Sequence, residues 1–102
     1  MAKVAPIHPG EILKTEFLDD LGITPYALAK QIGIDKGNLS RIINGKSGIS
    51  ADTALRLARF FGTSANSWMN LQSRYDLETA KDRGWRRIER DVRPCQSLIE
   101  SA

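Results

Sequence analysis

The most constraining feature of this 102-residue chain is a pair of short helix patterns separated by only three residues. The first is "PYALAKQI" (25–32) and the second is "KGNLSRII" (36–43), with "GID" between them. Thr24 and Asp35 precede the two patterns as N-cap residues, because their side-chain oxygens can accept from a free backbone N–H. Gly33 ends the first pattern, because glycine readily adopts the left-handed conformation at a helix end. Two short helices in so tight a connection must cross steeply and share a core.

The apolar residues of both segments fit such a crossing. Ala29 is small where the second helix would approach, and Ile34 would fill the corner of the turn. The shared core is predicted to contain Leu28, Ile32, Leu39 and Ile42. Together these features predict a helix-turn-helix, in which two helices cross about a tight turn.

The rest of the chain also has helical patterns, and strand patterns are almost absent. "HPGEILKTEFLDDLG" (8–22), "SADTALRLARFFG" (50–62) and "SANSWMNLQSRYDLETAKD" (64–82) have apolar residues at helical spacing. Trp68 and Tyr75 are interpreted as core residues. The sequence therefore predicts an all-α fold of five helices.

The character of the sequence changes after residue 83. Gly84 is a weak point for a helix, and the residues after it place Trp85, Ile88 and Val92 on one face. We expect residues 1–83 to form the five-helix domain and residues 84–102 a helical C-terminal extension and tail. An exposed face of aromatic and aliphatic side chains predicts contact with a partner.

Composition excludes several kinds of site. The single cysteine, Cys95, rules out an internal disulfide and is typical of a cytoplasmic protein. His8 is the only histidine, so a multi-His or Cys/His metal site cannot form, and we interpret it as a helix-entry residue. Neither a nucleophile–base pair nor a phosphate loop is present, so we expect no enzymatic activity and no cofactor. No apolar run is long enough to span a membrane.

The outer face of the second helix is rich in hydrogen-bond donors, and the net charge of +3 permits nucleic-acid binding. In a helix-turn-helix this helix enters the major groove of double-stranded DNA. Arg41 and Lys36 suit guanine, Asn38 suits adenine, and we interpret Gly37 as room for close approach. The alternative is a merely solvated face. The predicted base contacts are Lys36, Gly37, Asn38, Ser40 and Arg41.

Phosphate contacts are predicted at the helix ends. Pro25 and Tyr26 lie at the N-terminus of the first motif helix, where free N–H groups attract an anion. Asn44, Lys46 and Ser47 follow the second helix and would hold the backbone on its other side. Such contacts position a protein on DNA without reading its sequence.

The residues just described are similar to a known family. "LAKQIGIDKGNLSRIINGK" resembles the lambda-repressor-like (Cro/C1, XRE) five-helix DNA-binding domains. More narrowly, the chain resembles the HigA-type antitoxins, which are also grouped with VapI-like plasmid-maintenance antidotes. The segments that carry this likeness, within residues 7–81, are "HPGEIL", "EFL", "ISADTALRLARFFGTS" and "WMNLQSRYDLETAK".

The resemblance implies a homodimer that binds an operator in its own promoter and neutralises a HigB-type toxin of the RelE-like, mRNA-cleaving class. By position, it implies base reading at Lys36, Gly37 and Arg41 and phosphate contacts at Asn44 and Lys46. The face of Trp85, Ile88 and Val92 would then contact either a second copy or the toxin. Two alternatives are a stand-alone Cro/C1-type regulator without a toxin and an interaction module that has lost DNA binding.

Overall fold

The computed structural model describes residues 5–96 and 99, and between residues 9 and 91 it forms five helical rods. The first rod joins α1 (Pro9–Ile12), a π-helical segment (Leu13–Leu18) and α2 (Asp19–Leu21) without a break. The other four are α3 (Pro25–Ile32), α4 (Lys36–Ile43), α5 (Ala51–Phe61) and α6 (Ala65–Asp91). No strand occurs in the described part of the chain, so the predicted all-α, five-helix fold is confirmed.

Local capping interactions set the helix boundaries as the sequence predicts. Thr24 Oγ1 accepts from the Ala27 N–H at 3.1 Å, and Asp35 Oδ2 accepts from the Asn38 N–H at 3.1 Å. Gly33 adopts a φ of 73°, in the left-handed region that favours glycine. These bonds satisfy backbone donors that a helix terminus leaves free, and they fix where α3 and α4 begin.

The core lies where the first rod, α3, α4, α5 and the first half of α6 meet. Trp68 is 2% exposed, and its indole N–H donates to Thr63 Oγ1 at 2.9 Å. Tyr75, by contrast, is only half-buried, and its ring meets that of His8 edge-on. The buried apolar residues are Leu13, Leu18, Leu28, Ala29, Ile32, Leu39, Ile42, Ile49, Ala54, Leu57 and Trp68.

Helix α6 is much longer than the others and projects beyond this core. Its 27 residues span about 40 Å, and the molecule measures 60 × 29 × 22 Å. Gly84 lies inside α6 and does not interrupt it, so Trp85 and Ile88 share a helix with Trp68. The division of the chain at residues 83 and 84 stays a prediction. The end of the predicted tail, residues 97–98 and 100–102, lies outside the described residues.

No helix among the described residues is both long and apolar enough to cross a membrane.

Candidate nucleic-acid interface

The helix-turn-helix is anchored by an unusually close contact between backbones. Gly10, in the first turn of α1, packs directly against the C-terminal end of α4. A Cβ atom at position 10 would overlap the Ile42 carbonyl oxygen and lie 3.0 Å from the Ile43 Cα. Only glycine therefore permits α1 to lie where it does. This requirement was not predicted from the sequence, because nothing near Gly10 in the chain indicates a partner more than thirty residues away.

The outer face of α4 is open to solvent, as the sequence predicts. Leu39 and Ile42 are each 1% exposed and fix the rotation of the helix. Lys36, Ser40 and Arg41 are consequently exposed. The partly buried positions on this face are Gly37 and Asn38. The arrangement presents hydrogen-bond donors over a rigid apolar anchor, which is what readout of base edges requires.

The N-terminal ends of α3 and α4 meet on the same surface. The Lys36 ammonium lies 5.4 Å from the centre of the Tyr26 ring, within the range of a cation–π contact. Pro25 is exposed beside them in the first turn of α3. Lys36, which is predicted to contact bases, therefore lies beside Pro25 and Tyr26, which are predicted to contact phosphate.

A contact within the protein also favours glycine at position 37, in addition to the predicted close approach to DNA. A Cβ atom here would lie 2.9 Å from Asp35 Oδ2, the oxygen that caps α4. The same Cβ would lie 3.7 Å from Nη1 of Arg41. Glycine thus leaves room for the capping carboxylate, whereas the contact with Arg41 would be an ordinary van der Waals contact.

The remaining predicted phosphate contacts lie in the loop that follows α4, residues 44–49, which we call the DNA-side loop because the sequence predicts that it faces DNA. Asn44 and Lys46 are exposed, whereas Ser47 is half-buried. The Asn44 side-chain amide donates to Ser40 Oγ at 3.4 Å. The N–H groups of Lys46 and Ser47 both donate to the Arg41 carbonyl, at 2.8 and 3.2 Å. The loop therefore has a defined shape, and its contacts with phosphate stay predictions.

His8 holds one side of the DNA-side loop. Its Nδ1 accepts from the Gly10 N–H at 2.9 Å, which confirms the helix-entry role, and the ring has a backbone hydrogen bond with Ser47. Burial lowers the pKa of His8 from its ordinary value of 6.5, although the Ser47 bond and the charge of Asp76 act in the opposite direction. The neutral ring retains the lone pair that caps α1.

Gln72 of α6 holds the other side of the loop. Its Oε1 accepts from the Ile49 N–H at 2.7 Å, and its Nε2 donates to Asp76 Oδ1 at 3.0 Å. The loop backbone at Gly48 packs so closely on this amide that a Cβ there would lie 3.0 Å from Nε2. The sequence carries no sign of this role, because a glutamine within a polar helix is usually solvated.

Arg56 of α5 binds the C-terminal end of α3, the first helix of the helix-turn-helix. Its Nη1 donates to the Ile32 carbonyl at the end of α3, and its Nε donates to Asp52, both at 2.8 Å. A cation at a helix C-terminus is favourable, because the last carbonyls are unpaired and partly negative. The role of Arg56 was not predicted from the sequence, since only tertiary packing brings this side chain to α3.

The predicted partner-binding face lies on the projecting half of α6. Trp85 is 48% exposed and Ile88 is 42% exposed. Val92, immediately after the last helical turn, is 64% exposed. A projecting helix with an exposed apolar face fits the predicted contact with a partner.

Comparison with known proteins agrees with this geometry. A helix-turn-helix family model matches residues 15–68. Virulence-associated protein I of Dichelobacter nodosus is 48% identical over 75 residues, which are 74% of this chain and 69% of that protein. Antitoxin HigA-1 of Vibrio cholerae is 38% identical over 81 residues, 79% of this chain and 76% of that protein. This chain belongs to the HigA-type antitoxins of the helix-turn-helix family.

A solved structure of a HigA protein extends the match to the whole fold. The Pseudomonas aeruginosa antitoxin HigA, solved with the higBA promoter, superposes with a TM-score of 0.86 at 48% identity. The match covers 88% of this chain and 98% of that one. The resemblance inferred from the sequence is confirmed, and the chain is a DNA-binding antitoxin by family. The relatives of this HigA-type chain are named as antitoxins, transcriptional regulators and virulence-associated proteins.

Proposed function

We propose that this HigA-type protein binds an operator in its own promoter as a homodimer, represses its operon, and neutralises an mRNA-cleaving toxin of the HigB type. The observation that carries the proposal is the exposed donor face of α4 over its buried anchor. This face occurs in a chain that is 48% identical to an antitoxin solved with its promoter.

In this function α4 lies in the major groove and contacts the bases, while the segments on either side of it contact the phosphate backbone. Lys36, Asn38 and Arg41 meet base edges, with Ser40 and Gly37 at the same surface. The phosphate backbone is held at the N-terminus of α3, by Pro25 and Tyr26, and at the DNA-side loop, by Asn44, Lys46 and Ser47. The clamp of His8 and Gln72 keeps the loop in place before DNA arrives, so little ordering entropy opposes binding.

Two measurements test the operator and toxin parts of the proposal. A fragment of the gene's own promoter is expected to bind at least about a hundredfold more tightly than a scrambled fragment at the same salt. A tagged chain expressed with its neighbouring genes is expected to co-elute with a small basic toxin. Promoter binding without a co-eluting toxin would instead identify a stand-alone regulator, and equal affinity for both fragments would refute sequence-specific repression.

Homodimer formation is proposed through the exposed face of α6. A single helix-turn-helix buries little surface on DNA, so useful affinity requires two copies on half-sites about 34 Å, or a multiple of that distance, apart. The face of Trp85, Ile88 and Val92 lies on the part of α6 that projects beyond the core and leaves room for a second copy. Packing of two such faces would cover apolar surface that the single chain leaves in water.

Replacing Ile88 with glutamate tests this contact. A carboxylate within an apolar interface lacks a partner, so the dimer dissociation constant in light scattering is expected to rise at least about tenfold. The matched control is Leu55→Glu, because Leu55 is exposed on α5, away from this face. A dimer unaffected by Ile88→Glu would place the interface elsewhere. If that variant stays dimeric but no longer captures toxin, the face is the toxin contact.

A further inference from the structure

The net charge of this chain is concentrated on the projecting half of α6 and the two residues that follow it. Between residues 81 and 93 there are six lysines and arginines but only three acidic residues. The rest of the chain has nine basic and nine acidic residues, so the whole net charge of +3 comes from this segment. The basic residues between 83 and 90 are all arginines, and all of them are exposed.

Three of these arginines continue the face of α6 that holds the DNA-side loop. With 3.6 residues per turn, Arg90 lies five turns after Gln72 and directly in line with it. Arg83 lies within about 20° of the direction of Asp76, and Arg87 follows it by one turn. We call Arg83, Arg87 and Arg90 the basic row. Gln72 binds the loop backbone at Ile49, so the basic row lies on the side of α6 that faces the loop, and it begins about 16 Å further along the helix.

The apolar face proposed for the dimer does not compete with this row. Trp85 is rotated about 160° from both Arg83 and Arg87, so the two surfaces lie on opposite sides of α6. Arg90 has an ion pair with its neighbour Asp91, at 3.3 Å, but both side chains are more than half exposed. Such an exposed pair contributes little and leaves Arg90 able to bind another anion.

We propose that the basic row is a second phosphate-binding surface for the same DNA duplex, on the same side of α6 as the DNA-side loop. The proposal rests on the proposed function, because it requires that Lys46 and its loop face DNA. Arg83 and Arg90 are about 10 Å apart along the helix axis, a distance over which one DNA strand carries about three phosphates. Guanidinium groups bind phosphate with two parallel N–H donors, which explains a row of arginine rather than lysine.

A matched pair of double variants tests the proposal. Arg83→Gln with Arg87→Gln removes two charges from the basic row. Arg74→Gln with Lys81→Gln removes two charges from the opposite side of the same helix, which also carries Trp85, and breaks the exposed ion pair of Arg74 with Glu78. Affinity for the gene's promoter and for an unrelated duplex is measured for both against salt concentration, with light scattering to verify an unchanged oligomeric state.

The row variant is expected to reduce the slope of log affinity against log salt by about 0.9 for each phosphate that is no longer neutralised, or about 2 in all. The expected fall in affinity is similar for the two duplexes, because phosphate contacts do not read sequence. The opposite-face variant is expected to change the slope by less than about 0.5, since its two charges do not touch DNA and act only through screened solvent.

Equal changes in the two double variants would indicate a general effect of net charge and would overturn the proposal. No change in the row variant would overturn it as well. Failure of the unsubstituted chain to bind any duplex would instead refute the proposed function. The two failures are therefore distinguishable.

Discussion

Replacing Arg41 with alanine is expected to weaken the preference for guanine at one base position in each half-site. The side chain is exposed on α4, beside Gly37, and is long enough to reach a base edge with two parallel donors. Removing a bidentate base contact costs about 1–3 kcal/mol, so discrimination at that position should fall between about 5-fold and 150-fold. Selection of binding sites from a random library by the variant and the unsubstituted protein measures the change.

Arg41→Lys separates base reading from simple attraction to phosphate. An ammonium group carries the same charge but cannot form the two parallel hydrogen bonds, so lysine is expected to restore little of the base preference. If Arg41 instead contacts phosphate, alanine weakens all sequences alike and lysine restores most of the affinity. The fold is unaffected in either variant, because the carbonyl of residue 41 still accepts from the backbone of Lys46 and Ser47.

Replacing Gly10 with alanine is expected to destabilise the fold by about 3 kcal/mol. The new methyl group would overlap the Ile42 carbonyl oxygen, and since both partners are backbone, α1 must move away from α4. In a domain of this size the destabilisation corresponds to a fall in melting temperature of about 15 °C. Thermal unfolding followed by circular dichroism measures it.

Gly84→Ala is the control for replacing a helical glycine with alanine where no backbone atom is close. Gly84 lies inside α6, and a Cβ atom there would meet only the end of the flexible Arg87 side chain, at 3.8 Å. Alanine favours a helix over glycine, so this variant is expected to stabilise the fold by about 0.5–1 kcal/mol. A Gly10→Ala protein that melts at the same temperature as the unsubstituted one would show that α1 is not held against α4.

The helices and the outer face of α4 were predictable from the sequence because their determinants are local. Thr24 and Asp35 cap residues three positions ahead of them, and such bonds form wherever the chain turns into a helix. The apolar spacing of Leu39 and Ile42 determines which side of α4 is buried. Lys36 and Arg41 must then point away from the core, whatever the other helices do.

The supports of the candidate site depend on residues far apart in the chain. Gln72 binds the backbone at Ile49, 23 residues earlier, and Arg56 binds the carbonyl of Ile32, 24 residues earlier. A glutamine or an arginine on a helix has no local pattern that distinguishes a buried hydrogen bond from solvent. The residues that hold the DNA-side loop and the end of α3 therefore could not be identified from the sequence.

By itself, the sequence determined the helices, their caps and the donors that α4 exposes, because each depends on residues within about a turn of one another. The tertiary structure decided that Gly10 must be glycine and that His8 and Gln72 clamp one loop from two sides. It also decided that α6 continues through Gly84 and extends the basic row beyond the core. The physical reason is that close packing and buried hydrogen bonds depend on which distant segments of the chain are in contact. Local sequence patterns do not indicate those contacts.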